Sequence, residues 1–272
     1  MNGNWLERCR AAAEDVDAVL AELRGRDARE PVVAQGEGGD DTTAVDARAE
    51  EVVLRHFEDV SVVSEEAGEI DRGHTVVVVD PIDGSLNAKR GIPFFSLSIA
   101  VADGRTMDDV HFGYVFDFGS REEWWATRGD GAFLNGEPLR ELPKERIELL
   151  AFEATETAFI ADKAPAVVGL AYRLRVMGSL ALSLCHLAAG RLDGVCSLKP
   201  ARSVDIAAGQ LLVRERGLAI ELFDAPPFGA APLDVEGRSR VAAAGTEALC
   251  RELAQALSGS AAPGGTTPTG AS

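Results

Sequence analysis

Apolar residues follow a helical spacing in some stretches of the chain and an extended pattern in others. Between residues 5 and 23 they recur every three or four positions and Gly25 follows, which predicts an amphipathic helix. Residues 44–57 predict a second helix. Residues 75–79 form a β-branched run, typical of a strand buried on both faces, and residues 60–63 predict a shorter strand. Acidic residues closely follow both strands.

The rest of the chain continues this mixture of strands and helices. Further strands are predicted at 94–102, 110–116 and 122–126, before a hairpin turn at Asn135-Gly136. Beyond residue 141, three predicted strands (149–152, 174–177, 194–197) alternate with predicted helices at 179–189 and 205–216. Residues 30–43 predict a polar loop. Residues 258–272 are Gly, Ser, Thr, Pro and Ala without periodicity, which predicts a disordered tail.

Composition narrows the functional class. The 272 residues suffice for one large or two modest domains, and no apolar run approaches the roughly 18 residues of a membrane helix. We therefore expect no membrane partner, and the N-terminal residues show no signal-peptide pattern. A net charge of −17 argues against nucleic-acid binding. Four scattered cysteines predict free thiols in a reducing cytoplasm.

The segment from Asp80 to Ser85 has the residues of a magnesium site. Asp80 follows a buried strand, and Pro81 and the spacing to Asp83 would turn both carboxylates toward one point, beside the Ile82 carbonyl. These hard oxygen ligands suit Mg²⁺, and the backbone N–H groups of Gly84 and Ser85 would hold phosphate. Taken alone, the sequence Asp80-Pro81-Ile82-Asp83-Gly84 is also typical of an ordinary turn without a metal.

Four other positions have both a functional and an ordinary structural interpretation. Glu65 follows a short strand and would approach Asp80, or it would belong to a solvated acidic loop. Asp205 opens an apolar helix, where an N-cap is the ordinary role. Asp46 lies early in a helix, and Ser179 precedes one. Only a pattern that joins these residues separates the two interpretations.

The sequence resembles the inositol monophosphatase superfamily, and more closely its archaeal-type branch, which also hydrolyses fructose-1,6-bisphosphate. The resemblance covers residues 5–255 and rests on five stretches: Gly39-Asp40-Asp41-Thr42-Thr43 with Asp46 and Glu50; Ser64-Glu65-Glu66; Asp80-Pro81-Ile82-Asp83-Gly84-Ser85-Leu86-Asn87 with Gly91-Ile92-Pro93; Gly178-Ser179-Leu180-Ala181; and Val204-Asp205-Ile206-Ala207-Ala208-Gly209.

This resemblance implies a magnesium-dependent phosphomonoesterase with two or three Mg²⁺ ions per site. The implied metal ligands are Glu65, Asp80, the Ile82 carbonyl, Asp83 and Asp205. Glu65 and Ser85 would orient and help deprotonate a metal-activated water that attacks phosphorus in line, and Asp46 would support them. Gly84 and Ser85 would bind phosphate, while Asp83, Gly178 and Ser179 would face the substrate.

The substrate is less well defined. Lys199 and Arg202 precede Asp205 where animal-type relatives carry a glutamate, and such cations suit a second phosphate unless they are merely solvated. We therefore expect inositol monophosphate, fructose-1,6-bisphosphate or both. Alternatives are a 3′(2′),5′-bisphosphate nucleotidase of the same superfamily and a non-catalytic acidic cation-binding protein. The haloacid-dehalogenase type is disfavoured because its two acids lie two residues apart.

The resemblance also implies an architecture. It is an α+β fold, a layered α/β/α/β/α sandwich. Residues 1–140 would form an N-terminal α+β half with most metal ligands. Residues 141–257 would form a C-terminal α/β half with Asp205 and substrate contacts. Members are commonly homodimers, so we expect a cytoplasmic homodimer that acts on a small phosphorylated polyol or sugar.

Overall fold

Layers of helix alternate with layers of sheet in the structure, a computed structural model that describes residues 5–37, 41–140, 144–153, 156–223 and 227–258. The helices are α1 (Trp5–Glu22), α2 (Arg26–Arg29), α3 (Ala44–Arg55), α4 (Ser85–Arg90), α5 (Thr157–Lys163), α6 (Leu180–Ala188), α7 (Ser203–Glu215) and α8 (Glu247–Ser258). Short 3₁₀ turns lie at Met107–Asp109, Ala164–Val167 and Phe228–Ala230.

The strands form three sheets. They are β1 (Val32–Gln35), β2 (Asp41–Thr43), β3 (Ser61–Ser64), β4 (Gly68–Ile70), β5 (Thr75–Asp83), β6 (Ser96–Asp103), β7 (Val110–Asp117), β8 (Glu123–Thr127), β9 (Gly131–Leu134), β10 (Glu137–Pro138), β11 (Ile147–Glu153), β12 (Ala171–Arg175), β13 (Gly194–Ser197), β14 (Ala219–Leu222) and β15 (Val241–Ala244). The large sheet has the order β10-β9-β8-β7-β6-β5-β3-β4, the second sheet has the order β12-β11-β13-β15-β14, and β1 pairs with β2.

Three apolar clusters join these layers. One packs α1 and α3 on a face of the large sheet. The next lies between the two large sheets and is filled by α6 and α7, where fully burying leucines such as Leu182, Leu184 and Leu212 contributes about 1.5–3 kcal/mol each. The third packs α8 and α5 against the outer face of the five-stranded sheet. The α+β fold of α/β/α/β/α layers is thereby confirmed.

Several local predictions were wrong. Residues 30–43 are not only loop, because β1 and β2 pair within them. The strand expected at 174–177 lies at Ala171–Arg175, and α8, β14 and β15 were missed. Ser258 ends α8 rather than opening a tail, and residues 259–272 lie outside the described part of the chain. The predicted boundary between the two halves of the chain, at residue 141, also lies outside the described residues.

The structure also bears on two features that composition addressed, the cysteines and the apolar content of the helices. All four cysteines are buried free thiols, as expected. Among the described helices, none combines the length and apolar content needed to cross a bilayer.

Candidate metal centre and active site

Two neighbouring parallel strands bring the first acids together. β3 pairs with β5 in a register that sets Ser64 opposite Val79, so Glu65 and Asp80 follow at the same edge of the sheet. β5 continues to Asp83, and its pairing with β6 shifts between Asp80 and Asp83. The carboxyl end of this strand pair is therefore where the acidic side chains converge.

The turn after β5 depends on one glycine. Asp80 Oδ1 accepts a hydrogen bond from the Ile82 N–H at 3.0 Å, which holds the chain as it leaves the strand. Gly84 has a φ of 88° in the left-handed region, and a Cβ there would lie 2.9 Å from the Gly178 carbonyl oxygen. A side chain at this position would force the turn away from Gly178, so glycine is a steric requirement at position 84.

The N-terminal end of α6 fixes Asp83. Ser179 Oγ and the Ala181 N–H both donate to Asp83 Oδ2, the latter at 2.8 Å. Ser179 also caps α6 by accepting from the Leu182 N–H at 3.2 Å, so both of its predicted roles are structurally compatible. Asp83 is thus held by the layer that lies between the two sheets.

Asp205 reaches the same place from α7. It was expected to open this helix, but α7 begins at Ser203 and its N-cap residue is Arg202. Asp205 lies in the first turn, where its Oδ2 accepts from the Arg202 N–H at 2.7 Å. The carboxylate is therefore oriented by the helix start while its other oxygen stays available.

Asp80, Asp83 and Asp205, here called the inner trio, have the geometry of a cation site. Each offers one carboxylate oxygen, and these oxygens lie within 4.8 Å of one another. Asp80 and Asp83 are 2% and 8% exposed. Buried converging carboxylates are costly unless a cation compensates them, and hard oxygen donors fit Mg²⁺. The donor set therefore fits the implied metal.

The pKa values of Asp80 and Asp83 are raised where these acids crowd together. Burial, reinforced by Asp205, raises the pKa of Asp83 to about 7, although hydrogen bonds from Ser179 and Ala181 oppose the change. Burial also raises the pKa of Asp80 well above its usual value, with further contributions from Glu65 and Asp83. A divalent cation would reverse these shifts, because it favours the ionised form.

Glu65 lies in the same cavity but already has a cationic partner. Arg202 Nη2 donates to Glu65 Oε1, and the two side chains are only 8% and 20% exposed. Burial raises the pKa of Glu65 to about 8 even though Arg202 opposes the shift. Arg202 was expected to face a second phosphate, whereas the structure sets it against Glu65. The role of Glu65 as a metal ligand stays a prediction.

Asp41, Asp46 and Glu66, here called the outer acid cluster, line the cavity beyond the inner trio. Asp46 Oδ2 accepts from the Thr43 N–H at 3.2 Å and from Thr43 Oγ1 at 2.5 Å, and Lys89 Nζ lies 3.3 Å from it. Asp46 Oδ1 is buried and has no hydrogen-bond partner among the described residues. Asp46 is thus bound by the protein's own donors and cation.

One cavity of about 310 Å³ connects these features. Its lining contains almost all of the sequence-predicted site residues: Asp46, Glu65, Asp80, Ile82, Asp83, Gly84, Ser85, Gly178, Lys199, Arg202 and Asp205. Ser179 is the exception, because it is 1% exposed and acts behind Asp83. Lys199 is exposed and also lines a smaller adjoining cavity of about 120 Å³ with Glu153.

Sequence reasoning missed two residues of this site. Lys89 lies one helical turn beyond Ser85 on α4, a spacing that puts both side chains on one face and would have indicated it. Glu153 ends β11 as a buried acid, and its Oε2 accepts from the Gly178 N–H at 2.8 Å while its Oε1 accepts from Ser183 Oγ at 2.6 Å. An acid directly after an apolar strand was the available signal.

Sequence comparison identifies similar proteins over nearly the whole chain. The model of the inositol monophosphatase family matches residues 5–260. A fructose-1,6-bisphosphatase/inositol-1-monophosphatase of Thermococcus kodakarensis is 36% identical over 222 residues, covering 80% of this chain and 83% of that protein. A protein of the same name from Methanothermobacter thermautotrophicus is 31% identical and covers 90% of this chain and 93% of its own.

Solved structures agree with this similarity. A crystal structure of an inositol monophosphatase-fructose 1,6 bisphosphatase superimposes with a TM-score of 0.83 at 26% identity, covering 93% of this chain and all of that one. The extragenic suppressor protein SuhB of Bartonella henselae gives 0.78 at 25% identity, covering 94% and 99%.

Proposed function

The chain belongs to the inositol monophosphatase family and is a phosphatase, and from this premise we propose that it uses Mg²⁺ in the acidic cavity to hydrolyse small phosphorylated polyols or sugars. The observation that carries the metal is the inner trio, whose three oxygens converge within 4.8 Å. Two or three ions would be held by Asp80, Asp83 and Asp205, with Glu65 and the Ile82 carbonyl as further ligands.

The reaction would be a direct transfer of the phosphoryl group to water. Bound Mg²⁺ would lower the pKa of a water molecule and neutralise charge on the leaving oxygen. Glu65 and the Ser85 hydroxyl would orient that water, and the unpartnered Asp46 Oδ1 leaves an acceptor beside them. The backbone N–H groups of Gly84 and Ser85 would hold the phosphoryl oxygens.

We propose inositol monophosphate and fructose-1,6-bisphosphate as substrates. Several relatives carry both activities in their names. Gly178 and Asp83 would face the sugar or polyol, and Lys199 stands exposed where both cavities meet. A cation at that point favours a substrate with a second phosphate.

The oligomeric state and the compartment are also proposals. We propose a homodimer, because β12 is an edge strand and its neighbourhood exposes Val168 (82%), Tyr172 (75%) and Val176 (52%). Light scattering should then give twice the chain mass of 28.7 kDa, and Tyr172→Lys should lower the measured mass. The buried free thiols suit a reducing cytoplasm.

Phosphate release tests the proposed function. The wild-type chain would be assayed on inositol 1-phosphate, fructose-1,6-bisphosphate and adenosine 3′,5′-bisphosphate, with Mg²⁺ and with EDTA. We expect Mg²⁺-dependent release from the first two substrates and none with EDTA. Preference for the nucleotide would instead support the nucleotidase alternative. Release that persists in EDTA would overturn the metal mechanism.

A further inference from the structure

Lys89 has a fixed position within the acidic cavity. It projects from α4, its side chain is 15% exposed, and its Nζ lies 3.3 Å from Asp46 Oδ2. Asp46 itself comes from the first turn of α3. Two separate helices therefore meet at this ion pair, and the ammonium is tethered at the border of the outer acid cluster.

Asp46 depends on this ammonium for charge compensation. The carboxylate is only 9% exposed, and one of its oxygens is buried without a hydrogen-bond partner among the described residues. Thr43 supplies neutral donors to the other oxygen, so Lys89 is the cation that pairs with Asp46 in the described structure. A buried carboxylate without such a cation would attract one from solution.

The inner trio differs from Asp46 in the donors that hold its carboxylates. Its three carboxylates converge, and the donors that hold them are backbone N–H groups and the Ser179 hydroxyl. Among the described residues, it is also the group of acids that meets metal-ligand geometry. The outer acid cluster lacks that convergence, and its most buried member is already paired.

The formal charge of the cavity also favours two divalent ions over three. Among the described residues, seven carboxylates and three cationic side chains line it, an excess of four negative charges. Two divalent ions neutralise this excess, whereas a third would leave the cavity positive before substrate enters. Lys89 supplies one of the three compensating charges, and it does so next to the outer acids.

We propose that Lys89 is a tethered cation that takes the place of an outer divalent ion, so that each chain holds two metal ions and excludes a third. This deepens the proposed function and rests on it, because it presumes that the inner trio binds metal. Lys89 acts here as a positioning residue that sets the number of ions through Asp46.

Counting bound ions tests this inference directly. Mn²⁺ would be titrated into the folded chain in phosphate-free buffer, and free Mn²⁺ would be measured by its EPR signal. We expect two ions per wild-type chain. In Lys89→Gln, Asp46 and its neighbours lose their cation, and we expect a third ion with a Kd at least tenfold lower than that of any third ion in the wild type.

Matched variants distinguish the loss of the Lys89 charge from damage to the fold. Lys89→Arg keeps the positive charge and should stay at two ions. Arg90→Gln removes a charge from the next residue of the same helix, which pairs with Glu30 at 2.6 Å, and should also stay at two. Three ions in the wild type, or two in a folded Lys89→Gln, would overturn the inference.

The inference and the proposed function fail in different ways. If the proposed function is wrong, the wild type releases no phosphate with Mg²⁺, whatever its ion count. If only the inference is wrong, the wild type is an active phosphatase and its ion count does not respond to Lys89→Gln.

Discussion

The inner trio and the outer acid cluster lie in one cavity, but their carboxylates have different partners. Asp80, Asp83 and Asp205 are held by backbone N–H groups and one hydroxyl, and they face one another. Asp46 instead has Lys89 as its cation. An acid whose cation is part of the chain has a fixed charge environment, whereas acids that share only neutral donors need a cation from solution.

Glu65 lies between these two cases. It sits at the strand end next to Asp80, yet Arg202 holds it as Lys89 holds Asp46. Arg202 also donates its backbone N–H to Asp205, so one residue contacts both an inner acid and a paired one. Through its backbone N–H and its side chain, Arg202 therefore links one acid of the inner trio to the paired Glu65.

Removing the charge of an inner-trio carboxylate should have the largest effect on catalysis. We expect Asp80→Asn to lower kcat/KM for inositol 1-phosphate by about 10³-fold or more, because a metal ligand and its charge are lost together. Asp46→Asn should cost only about 10–100-fold, as is usual for residues that orient a metal's surroundings. Steady-state kinetics on both variants measures the contrast. Equal losses would erase the distinction between the inner and outer acids.

The support of the inner trio can be tested through Glu153. Its buried carboxylate fixes the Gly178 turn, and Ser179 and Ala181 in turn bind Asp83. We expect Glu153→Gln to weaken Mn²⁺ binding by about 10–100-fold and to raise KM more than it lowers kcat. The control is Glu148→Gln on the same strand, where the side chain is 44% exposed. A Glu153→Gln variant with unchanged Mn²⁺ affinity would contradict this.

Magnesium should stabilise the fold, and more so at high pH. The pKa values of Asp83 and Glu65 are raised from 3.8 and 4.5 to about 7 and 8, so the folded chain keeps protons that the unfolded chain releases. Metal-free stability therefore falls as pH rises from about 4 to 8, and a bound cation removes that loss.

Melting curves measure this effect. At 100-fold excess over Kd, Mg²⁺ should add about 2.7 kcal/mol, or roughly 5–10 °C in Tm. The shift should be larger at pH 8.5 than at pH 5.5, and potassium chloride of equal ionic strength should not reproduce it. Asp80→Asn should reduce it, and Lys89→Gln should not. A Tm that ignores tens of millimolar Mg²⁺ would contradict the cation site.

Contiguous features of the site were predictable from sequence. The run from Asp80 to Ser85 follows a β-branched strand and Glu65 follows a shorter one, which suggested that they approach each other. The resemblance was needed to favour this over a solvated acidic loop, and the parallel pairing of the two strands bears out the approach. Asp205 could not be placed from such a pattern, because α7 reaches the inner trio through packing between two sheets. Its assignment depended on resemblance, as did the layer order.

Pairings made by tertiary structure were the least predictable. Lys89 and Asp46 belong to different helices, and neither helix alone indicates the ion pair. The contact of Arg202 with Glu65 was not foreseen either, while its contact with substrate stays a prediction. α8 was missed although Cys250, Leu253 and Leu257 form its buried stripe, because low-complexity sequence follows directly. Ion pairs between distant segments, and elements at the end of the ordered sequence pattern, are thus not predictable from local sequence patterns.

The smallest expected effect concerns the third cation of the cavity. Within the described chain no ion pair holds Lys199, unlike Lys89 and Arg202, so its charge remains available to substrate. Because it is exposed, Lys199→Gln should lower kcat/KM for fructose-1,6-bisphosphate only about 2–5-fold and leave inositol 1-phosphate unchanged. Raising the salt concentration should shrink the difference. Equal losses on both substrates would mean that Lys199, like the paired cations, serves the acids rather than a second phosphate.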